Sequence, residues 1–334
     1  MGDFMRMLVT GGAGFIGSNF IRQMLQKNED TEIVNLDMLT YAGRLENIKD
    51  LDKNSRHTFV HGDIRNRETV ERIVKNEIDI IVNFAAETHV DRSIAEAGAF
   101  IETDVYGTYI LLDAGRRCDV DRVIQVSTDE VYGSIQEGAF KETGSPNPSS
   151  PYAASKASAD LLALSFYKTY GMKVSVTRSS NNFGPYQYPE KLIPKLILRV
   201  LHDEPLPLYG DGKHQRDWVY VLDNCAAIDS VVREGKAGEI YNIASGAERT
   251  NLEVAKLVLK KLNKPDSLVK FVSDRPGHDR RYSLDTAKIR KLGWKPKHAF
   301  EDALKRTVEW YTLNKWWWLP LLKDKSVQSD TPWL

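Results

Sequence analysis

The sequence is poor in cysteine and has no excess charge of either sign, and each shortage excludes a class of protein. Only two of its 334 residues are cysteines, Cys118 and Cys225, which are too few for a disulfide framework and match no zinc-binding spacing. We therefore expect no metal site and a reducing, cytoplasmic location. Lys and Arg total 46, as do Asp and Glu, so the basic excess typical of nucleic-acid and anionic-membrane binders is missing.

Long apolar runs are also missing. No stretch approaches the roughly 18 apolar residues of a membrane span, and the first residues lead into a strand pattern without the apolar segment of a signal peptide. Apolar residues make up 42% of the chain and charged residues 28%, a composition that supports a full-sized core. The length fits one large domain or two fused ones, with neither a membrane nor a nucleic acid as partner.

The first half alternates short apolar runs with longer helical periods, a pattern typical of βαβ units. We predict an α/β fold with a doubly wound, Rossmann-type parallel sheet, covered by helices on both faces. The predicted strands are Arg6–Thr10, Glu32–Asp37, Thr58–His61, Ile78–Ala85, Arg122–Ser127 and Lys173–Thr177. The predicted helices are Gly14–Lys27, Arg67–Lys75, Ile101–Arg117 and Tyr152–Tyr170.

Beyond about residue 180 the pattern loosens, and prolines and glycines divide the chain into short elements. Strand-like Glu239–Ile243 and the helical period Asn251–Leu262 precede a charged stretch, Asp274–Arg281. We predict that residues 1–180 with about 217–245 form the sheet domain. Residues of about 181–216 with 246–334 are predicted to form a smaller C-terminal α/β lobe over the sheet's carboxyl edge, where such folds bind ligands.

A glycine-rich turn joins the first predicted strand to the first helix. Gly11, Gly14 and Gly17 form a GxxGxxG variant, one residue wider than the usual dinucleotide motif. The turn directly precedes a helix, so the free N–H groups at the helix N-terminus can bind a pyrophosphate. Asp37 ends the second strand, where a carboxylate accepts both ribose hydroxyls of NAD and repels the extra phosphate of NADP. The alternative is a structural turn with a strand-capping aspartate.

Tyr152 and Lys156 lie one turn apart on a helix that Pro151 opens. A phenol is a poor base at neutral pH, but a nearby ammonium favours the phenolate. In an arbitrary protein such a pair is merely an exposed pair on a helix. Following a dinucleotide turn and a fifth strand, it indicates a catalytic base with a supporting lysine.

Thr128, Asp129 and Glu130 follow the fifth strand. Two adjacent carboxylates at the carboxyl edge of a buried strand are unusual, because desolvating charge is costly. In isolation they would be loop residues that face water. At the predicted ligand crevice they can divide into one acid and one base, as elimination chemistry requires.

Together these segments resemble the extended short-chain dehydrogenases/reductases, and among them the dTDP-glucose 4,6-dehydratases of dTDP-rhamnose synthesis. The glycine turn and the Tyr/Lys pair are common to the whole superfamily, whereas Thr128-Asp129-Glu130 is specific. The matching segments are TGGAGFIGSNF at 10–20, LDMLTYAG at 36–43, HGDI at 61–64, AAETHVDRSI at 85–94, STDEVYG at 127–133, YAASKASAD at 152–160, NNFGPYQYPEKLIP at 181–194, LYGDGKHQRDWVYV at 208–221 and DRPGHDRRYSLD at 274–285.

The resemblance implies a redox-neutral dehydration of dTDP-glucose to dTDP-4-dehydro-6-deoxy-glucose. Tyr152 takes the proton of the sugar 4-hydroxyl as the C4 hydride passes to NAD, and Thr128 hydrogen-bonds the 4-oxygen. Glu130 then removes the C5 proton while protonated Asp129 donates to the departing 6-hydroxyl. The hydride finally returns to C6.

The resemblance also implies two sets of ligand contacts. The NAD contacts are Gly11, Gly14, Phe15, Ile16, Gly17, Asp37, Met38, Leu39, Thr40, Asp63, Ile64, Ala85, Ala86, Thr103, Tyr152, Lys156 and Asn182. The nucleotide-sugar contacts are Thr88, Thr128, Asn181, Lys191, Leu192, Pro207, Tyr209, Arg216, Asn251, Arg275 and His278. The two arginines have the planar fork that suits a diphosphate.

Two features depart from the family pattern. Asp104 occupies a position where the family usually has Asn, so any hydrogen bond that the amide donates is in doubt. The chain after about residue 310 matches poorly, and we expect the tryptophans at 316–318 to pack a terminal helix rather than anchor a membrane.

Other functions remain open at this point. A UDP-glucose 4,6-dehydratase, a 4-epimerase and a UDP-glucuronate decarboxylase share the fold, although the acidic pair argues against the last two. A non-catalytic NAD-sensing regulator would keep the glycine turn and lose the Tyr/Lys pair. By the same resemblance we expect a homodimer whose four-helix interface uses Ile101–Arg117 and Tyr152–Tyr170.

Overall fold

The computed structural model describes residues 5–274 and 277–328. The strands are β1 Met5–Thr10, β2 Thr31–Asp37, β3 His57–His61, β4 Ile80–Asn83, β5 Arg122–Thr128, β6 Val174–Ser179, β7 Asn181–Phe183, β8 Leu206–Tyr209, β9 Gln215–Tyr220, β10 Ile240–Ile243, β11 Glu248–Thr250 and β12 Val269–Val272. The helices are α1 Phe15–Lys27, α2 Arg67–Val74, α3 Val90–Ala95, α4 Gly98–Phe100, α5 Thr108–Arg117, α6 Pro151–Tyr170, α7 Leu192–Leu201, α8 Val221–Glu234, α9 Asn251–Lys261, α10 Ala287–Arg290, α11 Phe300–Leu313, α12 Lys315–Trp318 and α13 Lys325–Gln328.

A seven-stranded parallel sheet in the order β3-β2-β1-β4-β5-β6-β10 forms the centre of the protein. Successive side chains of β1 point to opposite faces: Met7 and Val9 enter a core beneath α1 and α8, and Leu8 enters a core beneath α2, α5 and α6. The doubly wound Rossmann-type sheet predicted from the sequence is confirmed.

The parallel register brings the carboxyl ends of the strands to one edge. Thr10 at the end of β1 is opposite Asn83 at the end of β4, and Thr128 at the end of β5 is opposite Ser179 at the end of β6. Polar residues that follow these strands therefore meet along a single line. This edge is where the fold places a ligand crevice.

Smaller sheets cover this edge. Strands β7, β9 and β11 form a three-stranded sheet, and β8 pairs with β12. Helix α8 and strand β10 then return the chain to the large sheet. The division into two domains at the predicted boundaries stays a prediction.

Three predicted elements differ from the observed ones by more than a one-residue shift at one end. Strand β4 is shorter than Ile78–Ala85, because beyond Asn83 the Ala85 N–H donates to the Thr10 hydroxyl, 3.4 Å away, instead of to a neighbouring strand. Strand β6 runs to Ser179 rather than to Thr177. The predicted helix Ile101–Arg117 begins with a π-helical segment, Ile101–Gly107, before α5.

Two of the three tryptophans at 316–318 pack inward, as expected, whereas Trp316 is 50% exposed. Trp317 and Trp318 are buried, and the Trp317 indole N–H donates to Asn47 Oδ1, 2.7 Å away. Trp318 donates to the Tyr311 carbonyl of α11, also at 2.7 Å. Within 5–274 and 277–328, every helix is too short or too polar to cross a membrane.

Candidate active site

A cavity of about 420 Å³ lies at the carboxyl edge of the large sheet. Its lining comes from the segments that follow five strands: Gly11 after β1, Asp37 at the end of β2, Ala85 after β4, Thr128 at the end of β5 and Asn181 after β6. One cavity thus collects side chains that are far apart in the sequence.

The glycine turn forms one wall of the cavity and leaves no room for side chains. Gly11 has a φ of 67°, and a Cβ there would lie 2.6 Å from the Ala85 nitrogen. A Cβ on Gly17 would lie 2.3 Å from the Gly11 carbonyl oxygen. Gly14 caps α1 without a side-chain hydrogen bond, so the helix's first N–H groups face the cavity. This turn suits the pyrophosphate of a dinucleotide.

Asp37 marks the end of the cavity where an adenosine ribose would lie. Its carboxylate accepts hydrogen bonds from the backbone N–H groups of Ala13 at 2.9 Å and Leu39 at 2.8 Å. Burial raises the pKa of this carboxyl above its usual value, while the two backbone bonds oppose the rise. Each oxygen of this carboxylate has a further lone pair, which can accept a hydrogen bond from a hydroxyl of a ligand.

Several buried amide oxygens near the middle of the cavity have no hydrogen-bond partner among the described residues. They are Oδ1 of Asn181, Oδ1 of Asn182 and Oε1 of Gln187, and all three residues line the cavity. Buried polar atoms are normally paired. These acceptors therefore fit the donor groups of a bound dinucleotide and its substrate, such as the carboxamide and the hydroxyls.

Tyr152 and Lys156 both face the cavity from the first turns of α6. The helix begins at Pro151, and the Ser150 hydroxyl accepts the Ala153 N–H at 3.1 Å. Lys156 Nζ donates to the Val126 carbonyl of β5 at 2.9 Å, which fixes the lysine against the sheet. The predicted pair is thus brought together at the site.

The electrostatics of Tyr152 differ from the sequence argument, which considered only the lysine. Burial raises the pKa of Tyr152 well above its usual value, and the charges of Glu130 and Asp104 raise it further. A hydrogen bond with Thr128 acts in the opposite direction. The protein's own groups therefore hold Tyr152 as the neutral phenol.

Thr128, Asp129 and Glu130 line the same cavity as Tyr152. A 3₁₀ helix, Asp129–Tyr132, begins here, and the Thr128 hydroxyl caps it by accepting the Glu130 N–H at 3.2 Å. Asp129 is only 3% exposed, and burial, followed by the charge of Glu130, raises its pKa well above the usual value. Glu130 is partly exposed to the cavity. The two carboxylates therefore have unlike environments, as the sequence argument required.

The structure gathers most of the predicted residues around this cavity. All five catalytic candidates line it, as do all the NAD-contact candidates except Leu39. Among the nucleotide-sugar candidates, Thr88, Thr128, Asn181 and Lys191 line it, and Lys191 Nζ donates to the Thr88 carbonyl at 2.8 Å.

The remaining nucleotide-sugar candidates lie outside this lining: Leu192, Pro207, Tyr209, Arg216, Asn251 and His278. Arg275 is outside the described residues. The Arg216 guanidinium lies 4.3 Å from the centre of the Tyr282 ring, and its charge lowers the pKa of Asp129, so it acts on the catalytic wall. The His278 ring stacks on His214 with centres 3.7 Å apart.

Sequence reasoning missed a cluster at the cavity around Glu190, whose side chain is 1% exposed. Its carboxylate accepts the Tyr41 hydroxyl at 2.9 Å, and Arg92 lies 3.6 Å over the Tyr41 ring and 3.6 Å from Glu190. All three residues lie inside segments that matched the family. These three residues are hard to identify from the sequence, because the spacing between them does not indicate a ligand site.

The fold, the glycine turn and the Tyr152/Lys156 pair define an extended short-chain dehydrogenase/reductase. The family model described as GDP-mannose 4,6 dehydratase matches residues 8–307. The chain belongs to this family of sugar-nucleotide dehydratases.

Individual relatives cover nearly the whole chain. The low-salt glycan biosynthesis protein Agl12 of Haloferax volcanii is 52% identical over 92% of this chain and 98% of its own length. A dTDP-glucose 4,6-dehydratase of Streptomyces niveus is 50% identical over 95% of this chain and 96% of its own. The crystal structure of DesIV, a dTDP-glucose 4,6-dehydratase of Streptomyces venezuelae with NAD and dTDP bound, superimposes with a TM-score of 0.93 at 51% identity, covering 95% of this chain and 100% of that one.

Proposed function

We propose that this protein is an NAD-dependent hydro-lyase that converts dTDP-glucose to dTDP-4-dehydro-6-deoxy-glucose. The observation that carries the proposal is the pair Asp129 and Glu130, which share one cavity with Thr128 and Tyr152. An epimerase or a simple dehydrogenase of this fold needs the tyrosine and the lysine but has no use for two carboxylates of unlike environment. The dTDP-glucose dehydratases among its relatives support the same reaction.

NAD fits the residues that are present, and when bound it supplies a hydride acceptor that is regenerated at the end of each cycle. Gly11, Gly14 and the start of α1 would hold its pyrophosphate, and Asp37 its adenosine ribose. Lys156, fixed by the Val126 carbonyl at 2.9 Å, would hydrogen-bond the second ribose.

Tyr152 acts first, as the base that takes the proton of the sugar 4-hydroxyl. Thr128 hydrogen-bonds the phenol of Tyr152 and would hold the 4-oxygen beside it. Since carboxylates and burial favour the neutral phenol, the positive charge of Lys156 must offset them when the sugar oxygen approaches. Loss of the hydroxyl proton to Tyr152 and of the C4 hydride, for which bound NAD would be the acceptor, leaves a ketone at C4. This ketone acidifies the hydrogen on C5.

Asp129 and Glu130 then divide the elimination between them. Burial and the charge of Glu130 raise the pKa of Asp129 and so favour its protonated form, which would donate a proton to the departing 6-hydroxyl. Glu130, more exposed to the cavity, removes the C5 proton. One water leaves, and the return of the hydride to C6 and of a proton from Glu130 to C5 would complete a redox-neutral cycle.

A direct assay tests the proposed function. The purified protein is incubated separately with dTDP-glucose and UDP-glucose, and the products are analysed by mass spectrometry. We expect a 4-keto product that has lost one water, formed faster from dTDP-glucose, with no net build-up of reduced cofactor. An unchanged mass with inverted C4 configuration would instead assign an epimerase.

We also propose a cytoplasmic homodimer that acts in deoxysugar-nucleotide synthesis of the rhamnose type. Both cysteines are free thiols, as in a reducing compartment. Large apolar side chains are exposed on the two helical segments that we expect to form the four-helix interface: Ile101 at 60%, Tyr106 at 50%, Leu161 at 57% and Tyr170 at 56%. Such exposure is costly in a monomer and normal at an interface.

Light scattering after size-exclusion chromatography checks the dimer. We expect twice the chain mass for the wild type and the chain mass for Leu161→Glu, because a charge would be buried in the interface. Leu313→Glu, at a position that is 79% exposed and far from both segments in the sequence, serves as the matched control and should stay dimeric. A monomeric wild type would contradict the proposal.

A further inference from the structure

One buried carboxylate beside the active site has no part in the mechanism above. Asp104 lies in the π-helical segment Ile101–Gly107 and is 1% exposed. Burying an ionisable group is costly unless its surroundings compensate. Local π-helical geometry is also uncommon and occurs frequently at functional sites. Both observations indicate that Asp104 has a specific task.

The contacts of Asp104 join two parts of the active site. Its Oδ1 accepts the backbone N–H of Glu87 at 2.8 Å, and Glu87 lines the cavity next to Thr88. Its Oδ2 accepts the Ser155 hydroxyl at 2.6 Å. Ser155 lies on α6 between the two catalytic residues, so Asp104 connects the loop after β4 to the helix that carries the base.

Charged groups from several elements act on Asp104 and on Tyr152. Burial raises the pKa of Asp104 to about 6, against the effect of Lys156 and of the two hydrogen bonds, while the charge of Glu87 adds to the rise. Asp104 in turn raises the pKa of Tyr152. The other groups that act on Tyr152 are Glu130 and Asp129, which raise its pKa, and Thr128, which lowers it.

The Ser155 hydroxyl has one proton and two acceptors within reach. Besides Asp104 Oδ2, the Tyr152 backbone carbonyl lies 2.8 Å away. Ionised Asp104 can only accept hydrogen bonds, so the Ser155 hydroxyl donates to it. Protonated Asp104 can donate to the Ser155 oxygen, and the serine proton then turns to the Tyr152 carbonyl. The ionisation of Asp104 therefore reverses the direction of this hydrogen bond.

We propose that Asp104 is a positioning residue whose ionisation sets the direction of the Ser155 hydrogen bond. Through the negative charge that Tyr152 faces, the same ionisation sets the pH range in which Tyr152 acts as base. This inference rests on the proposed function. An asparagine at this position would hold the donor form at every pH. The aspartate of this chain makes the same contact sensitive to pH.

The pH profile of kcat/KM for dTDP-glucose tests the proposal with two variants. Asp104→Asn keeps both contacts and removes the charge, so the acid limb should move about one pH unit lower, the size expected for one neighbouring charge. Ser155→Ala removes the contact and keeps the charge, so its acid limb should stay in place. If Asp104 had a purely structural role, the acid limb would stay in place in both variants or move in both. Either result would overturn the proposal.

A carboxyl titration separates this inference from the proposed function. In protein labelled with ¹³C at the aspartate carboxyls, the resonance missing from Asp104→Asn should titrate near pH 6, about where the structure places it. Ser155→Ala should raise that value, because the hydroxyl favours the anion. Titration near the ordinary value of about 4 would overturn the inference even in an active enzyme. If the protein did not dehydrate dTDP-glucose but Asp104 titrated near pH 6, only the proposed function would be overturned.

Discussion

The two sides of the cavity differ in how they are built. The side that fits NAD is made largely from turns after β1, β2, β3 and β4, with Tyr152 and Lys156 from α6, and every predicted contact except Leu39 lines the cavity. Most of the predicted nucleotide-sugar contacts come from the second half of the chain, on β8 and β9, at the starts of α7 and α9 and in the segment after β12. There, six predicted contacts in the described residues lie outside the lining.

The difference follows from what positions the residues. Residues at strand ends are brought together by the register of a parallel sheet, as Thr10 opposite Asn83 shows. Residues on loops depend on side-chain contacts, such as the one between His278 Nδ1 and Asp274 Oδ1 at 2.6 Å. Uncharged side chains on the NAD side should therefore be replaceable as long as the backbone stays intact, and those on the sugar side should be less so.

The largest effect is expected where the two sides meet, at Glu130. Glu130→Gln keeps the size of the side chain but cannot accept the C5 proton, so turnover should fall by ~10²–10⁴. C4 oxidation remains possible. Mixed with dTDP-glucose, the variant should accumulate reduced cofactor and the 4-keto-glucose nucleotide, measured by absorbance and mass spectrometry, with little solvent deuterium at C5.

Tyr152→Phe is the control for this prediction, because it removes the earlier base. It should show neither reduced cofactor nor ketone. Near-normal turnover of Glu130→Gln, or failure already at oxidation, would remove Glu130 from the role of elimination base.

The sequence predicts the NAD side well because its evidence is local. A glycine turn, the strand before it and the helix after it lie within a few residues, and Asp37 follows at the end of the next strand. Tyr152 and Lys156 are related by one helical turn. Each relation is a fixed spacing that the backbone geometry imposes.

Other features depend on distant contacts and could not be predicted. The π-helical segment at Asp104 depends on bonds to Glu87 and Ser155, which are 17 and 51 residues away. The raised pKa of Tyr152 depends first on its burial and then on carboxylates from two other segments. Spacing in the sequence contains no information about either.

On the NAD side, Lys156→Met tests a residue that supplies a positive charge as well as a contact. Losing the ammonium should lower the rate by about 10²-fold at neutral pH, within the usual range for proton-transfer assistance. The loss should shrink as the pH rises and the phenolate forms unaided. The rate of C4 oxidation against pH measures this, with Lys168→Met, an exposed lysine late in the same helix, as control. A normal profile would exclude Tyr152 as the base.

On the sugar side, Arg216→Lys tests a residue of β9 that lies outside the cavity lining. Lysine keeps the positive charge that acts on Asp129 but loses the planar fork that binds a diphosphate in two places. We expect the KM for dTDP-glucose to rise about tenfold, the loss of one charged hydrogen bond, with kcat nearly unchanged. Arg280→Lys, exposed and paired with Asp211 at 2.8 Å, should leave both constants unchanged. A fall in kcat alone would place Arg216 in proton transfer instead of binding.

The smallest effect is expected at Leu39, the NAD-contact candidate that lies outside the cavity lining. Its backbone N–H holds Asp37 at 2.8 Å, and its φ of 56° is left-handed, a conformation that costs leucine about 1–2 kcal/mol and that asparagine adopts more readily. Leu39→Asn keeps the N–H and relieves this strain, while it loses partial packing against the core. We therefore expect the Kd for NAD, measured by fluorescence, to stay within about twofold and the free energy of unfolding to change by less than ~1 kcal/mol. Asp37→Asn, which removes the charged acceptor itself, should weaken NAD binding about tenfold. If Leu39→Asn weakened binding as much as Asp37→Asn, the side chain would have to touch the cofactor, and the NAD side could not be explained by backbone position alone.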